Sequence, residues 1–122
     1  MIVALAGESL FKKTLEEAAA SVSVDLLVLE EEEPFWAALQ ETTPDAVLVE
    51  TGFSALDAGE IVQKMKTNPS TRRIPVVAFG DSLRADLLQD AKEAGADLVL
   101  ARAAFRDQLS QLLRHYDKSH SR

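Results

Sequence analysis

The sequence predicts a single α/β domain, a doubly wound parallel sheet of five strands with helices on both faces. Two observations carry this. Five short apolar runs, rich in Val and Leu, lie at residues 2–6, 26–29, 46–49, 75–79 and 98–101, and their continuity suits strands buried on both faces. Between them lie segments whose apolar residues recur every three or four positions, so strand and helix alternate along the chain. At 122 residues and 47% hydrophobic content, one domain can bury roughly two-thirds of its unfolded surface without disulfide or metal staples.

Each element follows in order. After the first run, Ser9 is a candidate cap for a helix whose stripe is Phe11, Leu15, Ala18 and Ala19. After the second, Pro34 fits a first helical turn, and Glu30 to Glu33 stand near its positive dipole end. Phe35, Ala38 and Leu39 then face inward. The third helix carries Ala58, Ile61, Val62 and Met65 on one face, and Asn68-Pro69-Ser70-Thr71 stops it. The fourth is expected to be capped by Ser82 and to bury Leu83, Leu87, Ala91 and Ala94 before Gly95 ends it. The last uses Phe105, Leu109, Leu112 and Tyr116. The domain is expected to span 1–116, with a polar tail that frays at 117–122. No repeat or linker interrupts the pattern.

Composition excludes several classes of function. There are no cysteines, which removes disulfides, thiol catalysis and cysteine-ligated metals. No apolar run approaches the ~20 residues of a membrane span, and no basic signal-peptide start precedes the first strand, so a soluble cytoplasmic chain is expected. The net charge of −7 opposes nonspecific binding to a phosphate backbone. His115 and His120 have no metal-ligand spacing and read as solvated. Gly7-Glu8-Ser9 lacks both the P-loop lysine and the Gly-x-Gly-x-x-Gly pattern.

The run Pro44-Asp45-Ala46-Val47-Leu48-Val49-Glu50 is a buried strand ending in one carboxylate. Leu56-Asp57 with Glu60 follows it, then Arg73-Ile74-Pro75-Val76-Val77-Ala78, then Ala94-Gly95-Ala96-Asp97 and Ala103-Ala104-Phe105. In this order and spacing the segments resemble response-regulator receiver domains, the phospho-switch modules of two-component signalling. The likeness runs from about residue 2 to residue 113. It implies a flavodoxin-like strand order, 2-1-3-4-5, with a crevice beyond the carboxyl ends of strands one and three.

The resemblance also implies a set of chemical stations, and this chain departs from each. Receivers hold Mg²⁺ on two acidic residues after the first strand and phosphorylate an aspartate ending the third. A Ser or Thr after the fourth and a lysine after the fifth contact the phosphoryl group, so that transfer proceeds by positioning and charge neutralisation. Here these positions map onto Ala6 and Gly7, Glu50, Gly80 and Arg102. The aromatic that turns with the hydroxyl maps onto Val99. Neither Ala6 nor Gly7 offers a carboxylate to a hard cation. A one-residue shift in the first loop instead puts Glu8 at the second acidic position, giving a residual cation site with Glu50 and Asp81. The plainer reading of Glu8 is a charge at a helix start. Glu50 itself has two readings: a partner for Arg102, whose planar fork suits a carboxylate, or a solvated strand-end residue.

The expected function is that of a pseudo-receiver, a non-enzymatic module needing no cofactor that signals by contact with a protein partner, self-association included. The alternatives are an active phospho-acceptor using Glu50 and a cation at Glu8, and a small-ligand binder using the space that Gly7 and Gly80 leave. By the resemblance, the partner surface is the face of helix four, strand five and helix five, with Leu88 flanked by Arg84, Lys92, Asp97 and Arg106. Trp36, about 100° from Phe35 on its own helix, is the second candidate.

Overall fold

The computed structural model describes residues 1–7, 9–52 and 57–118. Five strands, β1 Ile2–Leu5, β2 Leu26–Leu29, β3 Ala46–Glu50, β4 Val76–Gly80 and β5 Leu98–Ala101, alternate with α1 Ser9–Ser21, α2 Glu32–Thr42, α3 Ala58–Thr67, α4 Ala85–Ala94 and α5 Arg102–Tyr116. The sheet order is β2-β1-β3-β4-β5 and every pairing is parallel. This is the doubly wound, flavodoxin-like arrangement expected.

Burial sorts the strands by position. β1, β3 and β4 are buried at every residue, because helices cover both of their faces. The edge strands β2 and β5 are mostly half-buried. Alternation along the central strands feeds two cores. Ile2, Ala4, Leu48, Val77 and Phe79 pack with Phe11 and Leu15 of α1 and with Phe105, Leu109 and Leu113 of α5. Val3, Leu5, Val47, Val49 and Val76 pack with Phe35 and Leu39 of α2 and Ile61, Val62 and Met65 of α3. Three phenylalanines from different elements stack in the first core. Phe79 and Phe105 lie 4.0 Å apart with rings nearly parallel, and Phe11 sits 5.0 Å from Phe79.

Local chemistry sets the ends of the helices. Asp57 caps α3, its carboxylate accepting from the Glu60 N–H at 3.1 Å. Pro34 lies in the first turn of α2, as expected. Gly95 ends α4 at φ 116°, and its N–H reaches the carbonyls of Ala91 and Lys92, a geometry that favours glycine. The side chain of Ser9, the expected cap of α1, is not among those described.

Two expectations fail. Ser82 does not cap α4. The chain first makes a 3₁₀ turn, Ser82–Arg84, capped by Asp81, whose carboxylate accepts from the Leu83 N–H. The extra turn rotates Leu83 out of the predicted inward stripe, leaving it 87% exposed, and α4 buries fully only Ala91. The second concerns fraying at Asp117, the first residue of the expected tail. Asp117 is 1% exposed and its carboxylate lies 3.6 Å from the Met1 amine. That amine also meets Asp45 at 3.0 Å, and Asp45 accepts from the Lys118 N–H. Charge thus draws residues 117 and 118 into the domain.

A second latch closes the same end of the sheet. Lys66 Nζ donates to the carbonyl of Ile74 at 2.9 Å and to Asp97 Oδ2 at 2.8 Å, while Asp97 Oδ2 also accepts from the Val76 N–H at 2.7 Å. Asp97 therefore ties α3 to the start of β4.

The amine clasp yields a pH prediction. Burial acts to lower the pKa of the Met1 amine, but hydrogen bonding and charge from Asp45 and Asp117 outweigh it and raise the value above its ordinary 8.0. A raised folded-state pKa gives stability that is full below pH 8.0 and is lost as pH climbs through the folded value. After solvent screening the contribution is about 0.5 kcal/mol. Urea unfolding from pH 7 to 10 should therefore show the gap between the parent and Asp45→Asn narrowing as pH rises.

Candidate functional site

The strand order reverses direction at β1, and the crevice above this switch point gathers the loops after β1, β3, β4 and β5. Ala6 is buried, and its N–H is spent on the Leu29 carbonyl. Gly7 follows, then Glu50 at the tip of β3, Gly80 at the tip of β4 and Arg102 opening α5. The structure thus brings together all five positions singled out from the sequence.

Glu50 organises them. It is 2% exposed, and both of its carboxylate oxygens are engaged. Oε1 accepts from the Gly7 N–H at 3.0 Å, and Oε2 accepts from an Arg102 guanidinium nitrogen at 3.0 Å. Of the two readings of Glu50, the arginine partner is the one observed. Arg102 also lies over the Phe11 ring, 5.8 Å from its centroid, a cation–π position continuous with the phenylalanine stack. A cation at the start of a helix faces the unfavourable end of the dipole, and the carboxylate opposite offsets that.

The described residues of the crevice do not suit a divalent cation. Ala6 and Gly7 have no side-chain oxygen, and Glu50 is committed on both sides. Asp81 is turned away to cap its own loop through Oδ1. No group of three or more metal-ligating side chains occurs among the described residues. Glu8, the sequence candidate for a residual cation site, lies outside them.

Sequence reasoning missed Thr51. The space beside Gly80, read as room for a ligand, is filled: a Cβ on Gly80 would overlap Thr51 Oγ1. A threonine directly after Glu50 and a glycine ending the fourth run were the available signal, and it needed the β3–β4 register to be noticed.

The other sequence candidates scatter over two faces. Arg84 holds Asp86 through paired hydrogen bonds at 3.2 Å, which keep the Asp86 carboxyl below its ordinary pKa. Lys92 and Arg106 are exposed and Leu88 is half-buried. Asp97 belongs to the Lys66 latch. Trp36 stands apart on α2, its Nε1 donating to Glu32 at 2.9 Å, beside a groove of about 650 Å³ lined by Gln40, Lys64, Thr67, Asn68 and Pro69.

The pair makes a direct prediction. Arg102→Met removes the guanidinium facing a buried carboxylate and should cost about 2–3 kcal/mol in urea unfolding. That is less than for a fully buried pair, because Arg102 keeps 27% of its side chain exposed. Adding Glu50→Gln should restore most of the loss.

No family model and no curated protein matches the sequence. Solved structures do. A putative response regulator from Chloroflexus aurantiacus superposes with a TM-score of 0.83 at 14% identity, covering 96% of each chain. The receiver domain of the sensor histidine kinase PA1611 from Pseudomonas aeruginosa, with magnesium in its active-site cleft, gives 0.81 at 16% identity, again over 96% of each chain. The Mn(2+)-bound response regulator Rcp1 gives 0.78 at 18% identity, over 97% of this chain and 94% of its own. With the strand order and the crevice already described, these superpositions establish that the chain has the response-regulator receiver fold.

Proposed function

We propose that the chain is a receiver-type signalling module that works without phosphorylation, by presenting a fixed surface to a protein partner. One observation carries this: both oxygens of the buried Glu50 carboxylate are occupied, by the Gly7 N–H and by Arg102. Phosphoryl transfer to a carboxylate needs an accessible oxygen in line with the donor and a cation to offset charge among the crowded oxygens. Glu50 offers no free approach, and the crevice supplies few ligands for a cation. Arg102 instead gives the carboxylate a standing counter-charge, so the crevice holds one arrangement where a switch would need two.

The partner surface we assign is the outer face of the 3₁₀ turn and α4. Leu83 is its centre, because an 87% exposed leucine offers more apolar area than the half-buried Leu88 first favoured. Arg84 and Asp86, paired in the adjoining turn, supply charge at its rim, the usual surround of an apolar contact. A second copy of the chain is one candidate occupant, to be read by sedimentation.

Two measurements test this. Incubation with a small acyl phosphodonor and Mg²⁺ should leave the intact mass unchanged, whereas a phosphoryl adduct at Glu50 defeats the proposal. Leu83→Glu should unfold within about 0.5 kcal/mol of the parent, as expected for a surface change. It should also weaken self-association or capture of the partner by tenfold or so, about 1.4 kcal/mol. Unchanged binding removes this face as the interface.

A further inference from the structure

Glycine at the end of a central strand needs a reason, since it weakens the strand and usually marks a close approach. Gly80 is buried and pairs with Ala101 of β5. On its other side stands Thr51. The Thr51 N–H donates to the Phe79 carbonyl at 2.8 Å, which extends the Glu50–Phe79 register and sets residues 51 and 80 opposite each other. A Cβ on Gly80 would overlap Thr51 Oγ1 and lie 3.1 Å from Thr51 Cβ. Thr51 is 4% exposed, and its hydroxyl is buried without a hydrogen-bond partner among the described residues. A buried hydroxyl that makes no bond is a cost. What Thr51 contributes here is volume.

We propose that Thr51 and Gly80 form a steric interlock that closes the floor of the crevice independently of the Glu50–Arg102 pair. The threonine fills the space that any side chain at residue 80 would need, and its β-branched χ1 is stiff. Residue 51 thereby decides what the tip of β4 can present. A hydroxyl cannot be installed at residue 80 unless residue 51 is cut back. The inference stands whether or not Glu50 accepts a phosphoryl group, since it concerns packing alone.

A double-mutant cycle on thermal unfolding tests it. Gly80→Ala should lower Tm by roughly 5–10 °C through overpacking. Thr51→Ala combined with Gly80→Ala should regain about half of that loss or more. Thr51→Val keeps the shape and removes the unbonded hydroxyl, so it should unfold at or above the parent temperature. A Gly80→Ala protein as stable as the parent, a double variant no better than Gly80→Ala, or a destabilised Thr51→Val would each overturn the interlock. If Gly80→Ala alone does not fold, a folded double variant supports the proposal and an unfolded one defeats it. The cycle reads stability, whereas the phosphodonor assay reads mass, so either proposal can fail without the other.

Discussion

A carboxylate buried to 2% exposure has to be answered by donors, and the crevice is arranged around that requirement. Leaving such a charge uncompensated costs several kcal/mol. Glu50 is answered by a backbone amide on one side and a guanidinium on the other. Each answer fixes an element: the Gly7 amide holds the loop after β1, and Arg102 holds the first turn of α5. The tips of β1, β3 and α5 are thus joined by one charge. The pair therefore holds together the elements that border the crevice.

Packing beneath the pair supports it. Arg102 lies over Phe11, Phe11 stacks on Phe79 and Phe79 stacks on Phe105, so the guanidinium rests on a ladder of rings drawn from α1, β4 and α5. Close-packed neighbours of this kind resist small displacements. At the opposite end of the sheet, Lys66 and Asp97 bind α3 to the entry of β4. The sheet is therefore pinned at both ends by charge-assisted hydrogen bonds, which are stronger than neutral ones.

Helix α4 is the contrast. It buries fully only Ala91, and the turn before it turns Leu83 outward. Helical periodicity was the right rule for residues 85–94 and the wrong one for 82–84. Asp81 captures the Leu83 N–H, and a 3₁₀ turn advances side chains by a different angle from an α-helix. The sequence contained the aspartate, but nothing local ranked it above Ser82 as a cap. The same limit applies to Asp117. A polar tail reads as frayed until the chain terminus and Asp45 are seen beside it.

Apolar continuity marked all five strands, but the runs at 26–29 and 98–101, as free of polar residues as the others, became the mostly half-buried edges, so continuity alone did not rank centre against edge. Helical stripes such as Ala58, Ile61, Val62 and Met65 determined which faces turn inward. The segments from Pro44 to Phe105 also carried the receiver likeness, and with it the strand order and the five crevice positions. What the sequence left open was pairing at a distance. Whether Glu50 faces water or Arg102, and whether Gly80 leaves a hole or accommodates Thr51, depends on which strand tips and helix starts become neighbours. Those contacts join residues about 30 to 50 positions apart, and only the closed sheet brings them within reach.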